Sequence, residues 1–391
     1  MDTQNVQSKN AEYKGTEIGP IRPPSEAESL LLRVTRNCPW NKCRFCGLYK
    51  GTTFSLRKRE HVLADIDAIA DFVDKIKDAE QLTGEARQRA IRRLNEEIMH
   101  AEDGSAVESA MHFYRGDLRS VFLQDANSLL TKTEDLIPIL GRLKERFPSV
   151  ERVTSYARSR TVLDKSDEEL RALKDAGLDR IHIGMESGSD KVLELMKKGA
   201  TKEIHIEAGR KVKAAGIELS EYYILGLGGK EMSEENARET ADALTQIDPD
   251  FIRVRTLTVP GRVPLADDVR AGTFTQLNDV EGAQELLLFL QNLDVTSYLI
   301  NNDHILNLLP EASGKLPREK ERMTGVVEWF LALPAREQMI YRIGRRAGRI
   351  NSQRDMQDAR LRAWAESIID GSHINAENID ELIARTMRTF V

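Results

Sequence analysis

Short apolar, β-branched runs alternate along the chain with longer stretches whose apolar residues recur at helical spacing. That is the pattern of a parallel sheet whose strands are joined by crossover helices. Six strands are predicted, over Leu30 to Thr35, Ser120 to Leu123, Arg152 to Tyr156, Arg180 to Gly184, Glu218 to Leu225 and Phe251 to Leu257. Between them, Leu136, Ile139, Leu140 and Leu143 trace one helical face, and Leu170, Leu173 and Ala176 another that Gly177 stops. The connection between the first two strands is unusually long. It holds an amphipathic helix (Val62, Ile66, Ile69, Val73, Ile76) and a very charged one from about Glu85 to Glu102, expected as a solvated insertion. Beyond about Leu265 the alternation stops and the chain turns mainly helical, with one further apolar run at Val295 to Ile300 and punctuation at Gly314, Pro317 and Pro334. The expected organisation is an α/β class chain: a polar N-terminal tail over 1–26, a βα core over 27–265 with a charged helical insertion at about 59–113, and a mainly helical C-terminal region over 266–391.

Composition narrows the class. Forty per cent hydrophobic and 31% charged residues describe an ordinary globular protein. No apolar run approaches the roughly 20 residues that span a bilayer, so no membrane association is expected. Met1 to Pro24 is polar and lacks the apolar core of a signal peptide; it reads as a loose tail, and the cytoplasm is the expected compartment. A net charge of −6 gives no general attraction to nucleic acid or anionic lipid. One basic stretch, with Arg342, Arg345, Arg346, Arg349, Arg354, Arg360 and Arg362, runs against that average. It reads as the solvated face of a C-terminal helix, with an acidic or nucleic-acid partner as the lesser alternative.

The chemistry concentrates in Cys38-Pro39-Trp40-Asn41-Lys42-Cys43-Arg44-Phe45-Cys46-Gly47, which holds all three cysteines of the chain. An odd number of thiols in one short loop is a metal site rather than a disulfide framework. Thiolates select zinc or an iron–sulfur cluster over hard cations. Three of them leave one metal position open or call for a fourth ligand; His61, just past the loop, would complete a Cys₃His zinc site.

In parallel βα barrels the active site is built at the C-terminal ends of the strands. The cysteines follow predicted strand one, Gln124-Asp125-Ala126-Asn127 strand two, and Arg158 strand three. Glu186-Ser187-Gly188-Ser189-Asp190 follows strand four, Gly226-Leu227-Gly228-Gly229 strand five, and Arg255 and Thr256 end strand six. Six polar or glycine-rich clusters thus fall at strand ends of one sense.

On these residues the chain resembles the radical S-adenosylmethionine (SAM) superfamily. The Cys43-Arg44-Phe45-Cys46 loop and Gly184-Met185-Glu186-Ser187-Gly188-Ser189-Asp190 carry the likeness, the latter resembling the Elongator-type, methylthiotransferase-type and coproporphyrinogen-dehydrogenase-type branch. The resemblance implies a partial (β/α)₆ TIM-like barrel, a [4Fe–4S] cluster on Cys38, Cys43 and Cys46, and SAM on the fourth iron. It implies a 5′-deoxyadenosyl radical that takes hydrogen from a small-molecule substrate, and a reductant such as flavodoxin or ferredoxin. It places Phe45, Ile224 and Gly226 at the adenine and Glu186 and Ser187 against SAM. Gln124 and Asp125 stand where the family often binds the SAM ammonium with Gly-Gly-Glu-Pro, and Arg158 is the candidate for the SAM carboxylate. The first cysteine gap has four residues where the family's commonest spacing has three.

Each feature also has a plainer reading. Ser189 or Asp190 would cap the helix carrying Val192, Leu195 and Met196, and Gly226, Gly228 and Gly229 would form a tight turn. His304, with Asp303 and Asn307, is a candidate proton donor or acceptor; the plainer reading is a helix cap beside a satisfied buried histidine. Tyr49 is a second candidate catalytic residue, or simple packing. Three cysteines leave none for a second cluster, and neither an N-terminal cobalamin or methylthiotransferase domain nor a C-terminal acetyltransferase domain is expected. A radical SAM oxidoreductase or lyase remains, against a non-catalytic cluster, SAM or haem carrier and a structural zinc module.

Overall fold

The computed structural model describes residues 12–390. The strands are β1 (Leu30–Arg33), β2 (Thr35–Arg36), β3 (Ser55–Leu56), β4 (Ser120–Gln124), β5 (Arg152–Ala157), β6 (Arg180–Glu186), β7 (Glu218–Leu225), β8 (Phe251–Thr256), β9 (Tyr298–Ile300) and β10 (Gly314–Lys315). β2 and β3 form a separate two-stranded ribbon; the other eight follow chain order in their sheet. This is an α/β fold of the partial (β/α)₆ TIM-like class with a mainly helical C-terminal region.

The chain divides into two compact units. Among the described residues, the first comprises 12–41, 48–182 and 211–218, and the second 42–47, 183–210 and 219–390. In the first, β1 pairs β4 and β4 pairs β5, both parallel, with Leu31 opposite Phe122 and Leu123 opposite Ser155. Leu30, Leu31, Leu32, Val121, Phe122 and Leu123 are all buried, as strands covered on both faces require. Helix Arg59–Gln81 buries Val62, Ile66, Ile69 and Val73 on one face, whereas Gly84–His100 buries no residue, as its charge implies. A third helix, Gly104–Arg115, is capped by Asp103, whose Oδ1 accepts from Ala106 N at 3.0 Å. Its buried face is mostly small (Ala106, Ser109, Ala110), so its periodicity is faint in sequence.

The first predicted strand breaks at Val34. There the backbone N–H bonds Gln124 O at 2.8 Å, and Thr35 turns away to pair with Leu56. The loose-tail reading concerned 1–24, of which 1–11 lie outside the described residues. Residues 16–21 are held: Thr16 N donates to Asp103 Oδ2 at 2.7 Å and Gly19 N to Gln124 Oε1 at 2.7 Å.

In the second unit β7 pairs β8 in parallel register, Tyr222 opposite Arg253. The apolar run before Ile300 becomes β9, parallel to β8, so the βα alternation runs one unit further than its sequence pattern shows; β10 closes that edge antiparallel. The basic stretch corrects its solvated-face reading in part: Arg349, Arg354 and Arg360 are exposed as expected, but the arginines of its first helix are not. Arg342, Arg345 and Arg346 are only 5, 7 and 8% exposed, drawn inward by Asp279 and by the carbonyls of Asn307 and Leu306. No helix is long and apolar enough to cross a membrane among the described residues.

Candidate active site

The first unit contributes Cys38 and the groups around Asp125. Asn37 and Asn41 flank Cys38 in left-handed conformation, φ 68° and 46°, which asparagine tolerates better than most residues. Asn41 N donates to Cys38 Sγ at 3.4 Å, and its side-chain amide donates to Tyr49 O at 2.5 Å. The left-handed residue lies inside the longer first cysteine gap, so a local turn takes up the extra length.

Asp125, fully buried after β4, has two unlike oxygens. Oδ2 accepts from Arg33 Nε at 2.9 Å and Asn37 N at 3.0 Å, while Oδ1 has no hydrogen-bond partner. Gly19 passes so close that a Cβ there would stand 2.1 Å from Oδ1, so glycine is required. Gln124 is used differently. Its amide accepts from Gly19 N at 2.7 Å and donates to Gly19 O at 3.2 Å and Ile21 O at 2.5 Å, which leaves it as a clamp on the N-terminal segment. Burial and the negative charge of neighbouring Asp125 hold the Tyr49 phenol protonated, although its hydroxyl stays outside strict hydrogen-bond geometry. Arg158 lies over the Trp40 ring, 4.8 Å from its centroid, and its backbone N–H bonds Asn127 Oδ1 at 3.2 Å. His61, the candidate zinc ligand, packs its ring 5.5 Å from that of Tyr13.

The second unit contributes Cys43 and Cys46. Their segment is held by its backbone: Arg44 N donates to Met196 O and Leu265 N to Arg44 O, each at 3.0 Å. The Arg44 guanidinium pairs with Asp268, a bond that keeps the Asp268 carboxyl below its ordinary range. Phe45 packs against an apolar cluster that includes Val192, Met196, Leu227 and Leu265, and Ile224 packs against the same cluster. Two residues assigned to adenine therefore share one wall.

Glu186 ends β6 in left-handed conformation, φ 71°, a costly state for a residue with a long side chain. Its carboxylate meets Lys198 Nζ at 3.0 Å, and Gly184 makes room, since a Cβ there would lie 2.2 Å from Glu186 Oε1. Glu221 lies buried nearby. Burial, and after it the charge of Glu186, push its carboxyl well above the usual range. Ser187 is buried, and its hydroxyl accepts from Ser189 N at 3.0 Å. Ser189 does cap the following helix, through Val192 N at 3.3 Å. Gly226 and Gly229 turn with φ 78° and 65°. Glu285 anchors that turn, accepting from Gly226 N at 2.9 Å, Tyr223 Oη at 2.8 Å and Asn236 Nδ2 at 2.8 Å.

The group after β9 departs from the helix-cap reading. No helix begins there; Asp303 bridges Arg253 and Arg255, each at 2.6 Å. Asn307 bonds Thr256 Oγ1 at 3.0 Å and Val254 O at 2.8 Å. His304 Nδ1 is buried without a partner, and burial, reinforced by the charge of Arg255, lowers its pKa to about 4. Arg33, Lys198, Glu221 and Glu285 escaped the sequence reading. Glu221, a carboxylate inside an apolar strand, was the one with a visible signal.

Three thiols that form no disulfide, one receiving a backbone N–H, are a donor set suited to an iron–sulfur cluster, and the vacant Asp125 Oδ1 suits an ammonium. The sequence comparison agrees. Residues 32–244, more than half of the chain, match the radical SAM superfamily, and the chain belongs to it. Members of that superfamily use a [4Fe–4S] cluster and SAM. An uncharacterized methyltransferase, PH0819, of Pyrococcus horikoshii is 25% identical over 150 residues, 38% of this chain and 31% of that protein. Among solved structures, the cobalamin-dependent SAM radical enzyme OxsB aligns over 93% of this chain and 54% of its own, with 14% identity and TM-score 0.45. Escherichia coli coproporphyrinogen III oxidase (HemN) aligns over 67% and 50%, with 15% identity and TM-score 0.43. Elp3 of Methanocaldococcus infernus aligns over 46% and 47%, with 15% identity and TM-score 0.39. The chain thus spans about a third of the curated relative and about half of these structures.

Proposed function

We propose that this chain is a catalytic radical SAM enzyme of oxidoreductase or lyase type, acting on a small molecule and reduced by a flavodoxin or ferredoxin. When bound, the cluster and SAM would supply one-electron reductive chemistry capable of abstracting hydrogen from a substrate. Cys38, Cys43 and Cys46 would hold the cluster. Asp125 Oδ1 accepts from the SAM ammonium, Arg158 meets the carboxylate bidentately, and Phe45, Ile224 and Gly226 receive the adenine. Glu186 and Ser187 face the remainder of SAM. Gln124, occupied by the N-terminal segment, has no part in this reading.

The observation that carries it is the buried carboxylate of Asp125, with one oxygen committed and the other vacant, in a chain whose three cysteines form one loop. Anaerobically reconstituted, dithionite-reduced protein is expected to release 5′-deoxyadenosine from SAM. A stable cluster with no such release points to the carrier reading, and protein that takes up zinc but no iron and sulfide points to the zinc module.

A further inference from the structure

Within the second unit a pocket opens beside Gly226 and Thr256, at the C-terminal ends of β7 and β8, and is closed by the terminal helix Ile379–Met387. Its walls are mainly apolar, with Leu225, Leu257, Leu286, Leu309, Ile383 and Met387 among them. Its polar end is built from Arg342 and Arg346, both on helix Ala335–Arg346, with Asp279 and Asp380 beside them.

The arginine cluster behind that end, which includes Arg345 outside the pocket lining, has more positive charge than its carboxylates neutralise. Asp279 lies between the two guanidiniums, accepting from Arg342 Nε at 3.1 Å and from Arg346, and Asp380 pairs with Arg342. Arg345, next along the helix and 7% exposed, donates to Asn307 O and the Asn351 side chain, each at 3.1 Å, and has no carboxylate partner among the described residues. Three buried guanidiniums therefore face two carboxylates, a costly arrangement without another anion. The strain is visible at Arg345, whose pKa is lowered by burial and by the charge of Arg346. Arg346 lines the pocket at 8% exposure, and its Nε has no acceptor. Its two terminal nitrogens donate to Leu306 O at 2.7 Å and to Asp279. A buried donor left unpaired is costly, so the site gains when an acceptor enters.

We propose that this pocket takes a small molecule with a mainly apolar body and one carboxylate, the body between the β7–β8 ends and the terminal helix and the carboxylate on Arg346 Nε. An apolar cavity with a few convergent polar groups is the usual form of a small-molecule site. A neutral ligand would leave the excess charge uncompensated, and a strongly polar one would desolvate against leucine walls. Assigning this ligand as the substrate rests on the radical SAM reading; the binding itself does not.

The test is calorimetry on the full, cluster-reconstituted chain with 4-phenylbutanoate and with its neutral counterpart, 4-phenylbutan-1-ol. The carboxylate is expected to bind at least about tenfold more tightly, a difference of about 1.4 kcal/mol. Arg346→Lys, which keeps a cation beside Asp279 but loses the Nε donor, should shrink that preference. Ala384→Phe, on the terminal helix and clear of the ion pairs, should abolish binding of both compounds with Tm retained. Equal affinity for acid and alcohol, binding of neither, or binding indifferent to Ala384→Phe would overturn the proposal. Release of 5′-deoxyadenosine in the same samples reads the radical chemistry separately, so failure of one is distinguishable from failure of the other.

Discussion

Arg33 grips Asp125 by one carboxylate oxygen only: Nε at 2.9 Å and Nη2 at 2.8 Å both reach Oδ2, and Oδ1 is left buried and unpaired. An anion held in this way is oriented in advance, with its free acceptor kept out of water. Asp125→Asn keeps the shape and removes the charge. Hydrogen bonds to charged groups contribute about 1.5–3 kcal/mol, so SAM affinity should fall roughly ten- to a hundredfold. Equilibrium dialysis with labelled SAM measures this, and unchanged affinity would remove Asp125 from the site.

Gln124 is its neighbour in sequence and has the opposite role. Gln124→Ala leaves Gly19 N, Gly19 O and Ile21 O without partners, a loss of about 1–3 kcal/mol in stability. Thermal unfolding should show a lower Tm, with the SAM dissociation constant within about twofold of the parent chain once folded.

Arg158 stacks on Trp40 and presents a planar guanidinium. Arg158→Lys preserves the charge but loses the fork that matches a carboxylate. SAM should bind about tenfold more weakly, while decarboxylated SAM, which lacks the carboxylate, should bind both proteins alike.

Single Cys38→Ala, Cys43→Ala and Cys46→Ala substitutions should each abolish the visible absorbance of the cluster and the formation of 5′-deoxyadenosine. Iron and sulfide analysis after reconstitution checks the same point. A stable [4Fe–4S] cluster in any one of them would sink the ligand assignment.

His304 makes stability depend on pH. Its folded pKa of about 4 lies below the ordinary histidine value, so between about pH 6.5 and 4 the unfolded chain binds more protons than the folded one. Stability must therefore fall as pH falls through that window, by about 3 kcal/mol in all. Denaturant titrations at pH 7 and 5 should show a steeper loss in the parent chain than in His304→Asn; parallel curves would place the pH dependence elsewhere.

The five strands from β4 to β8 were legible in sequence to within two residues at each end, because buried parallel strands read as continuous apolar runs between helical periods. The first strand began where expected and ended two residues early, at a turn at Val34 that the sequence does not show because it answers to Gln124 O, ninety residues away in the chain. The basic helix misled for a similar reason. Its arginines carry no sign that Asp279 stands behind them, and periodicity alone places charges outward. Asp303 looked like a cap in sequence but is a bridge between two arginines of β8.

What the sequence alone determined is what short spacing can encode: the thiol loop, the alternation of strands and helices, and polar residues at the strand ends. Gln124 and Asp125, adjacent in the chain, show what it could not. One has both ends of its amide bound to the N-terminal segment, while the other keeps an oxygen unpaired. Hydrogen-bond satisfaction depends on groups that meet through folding over about a hundred positions of chain, so only the tertiary structure decides which buried polar atom is spent and which remains for a ligand.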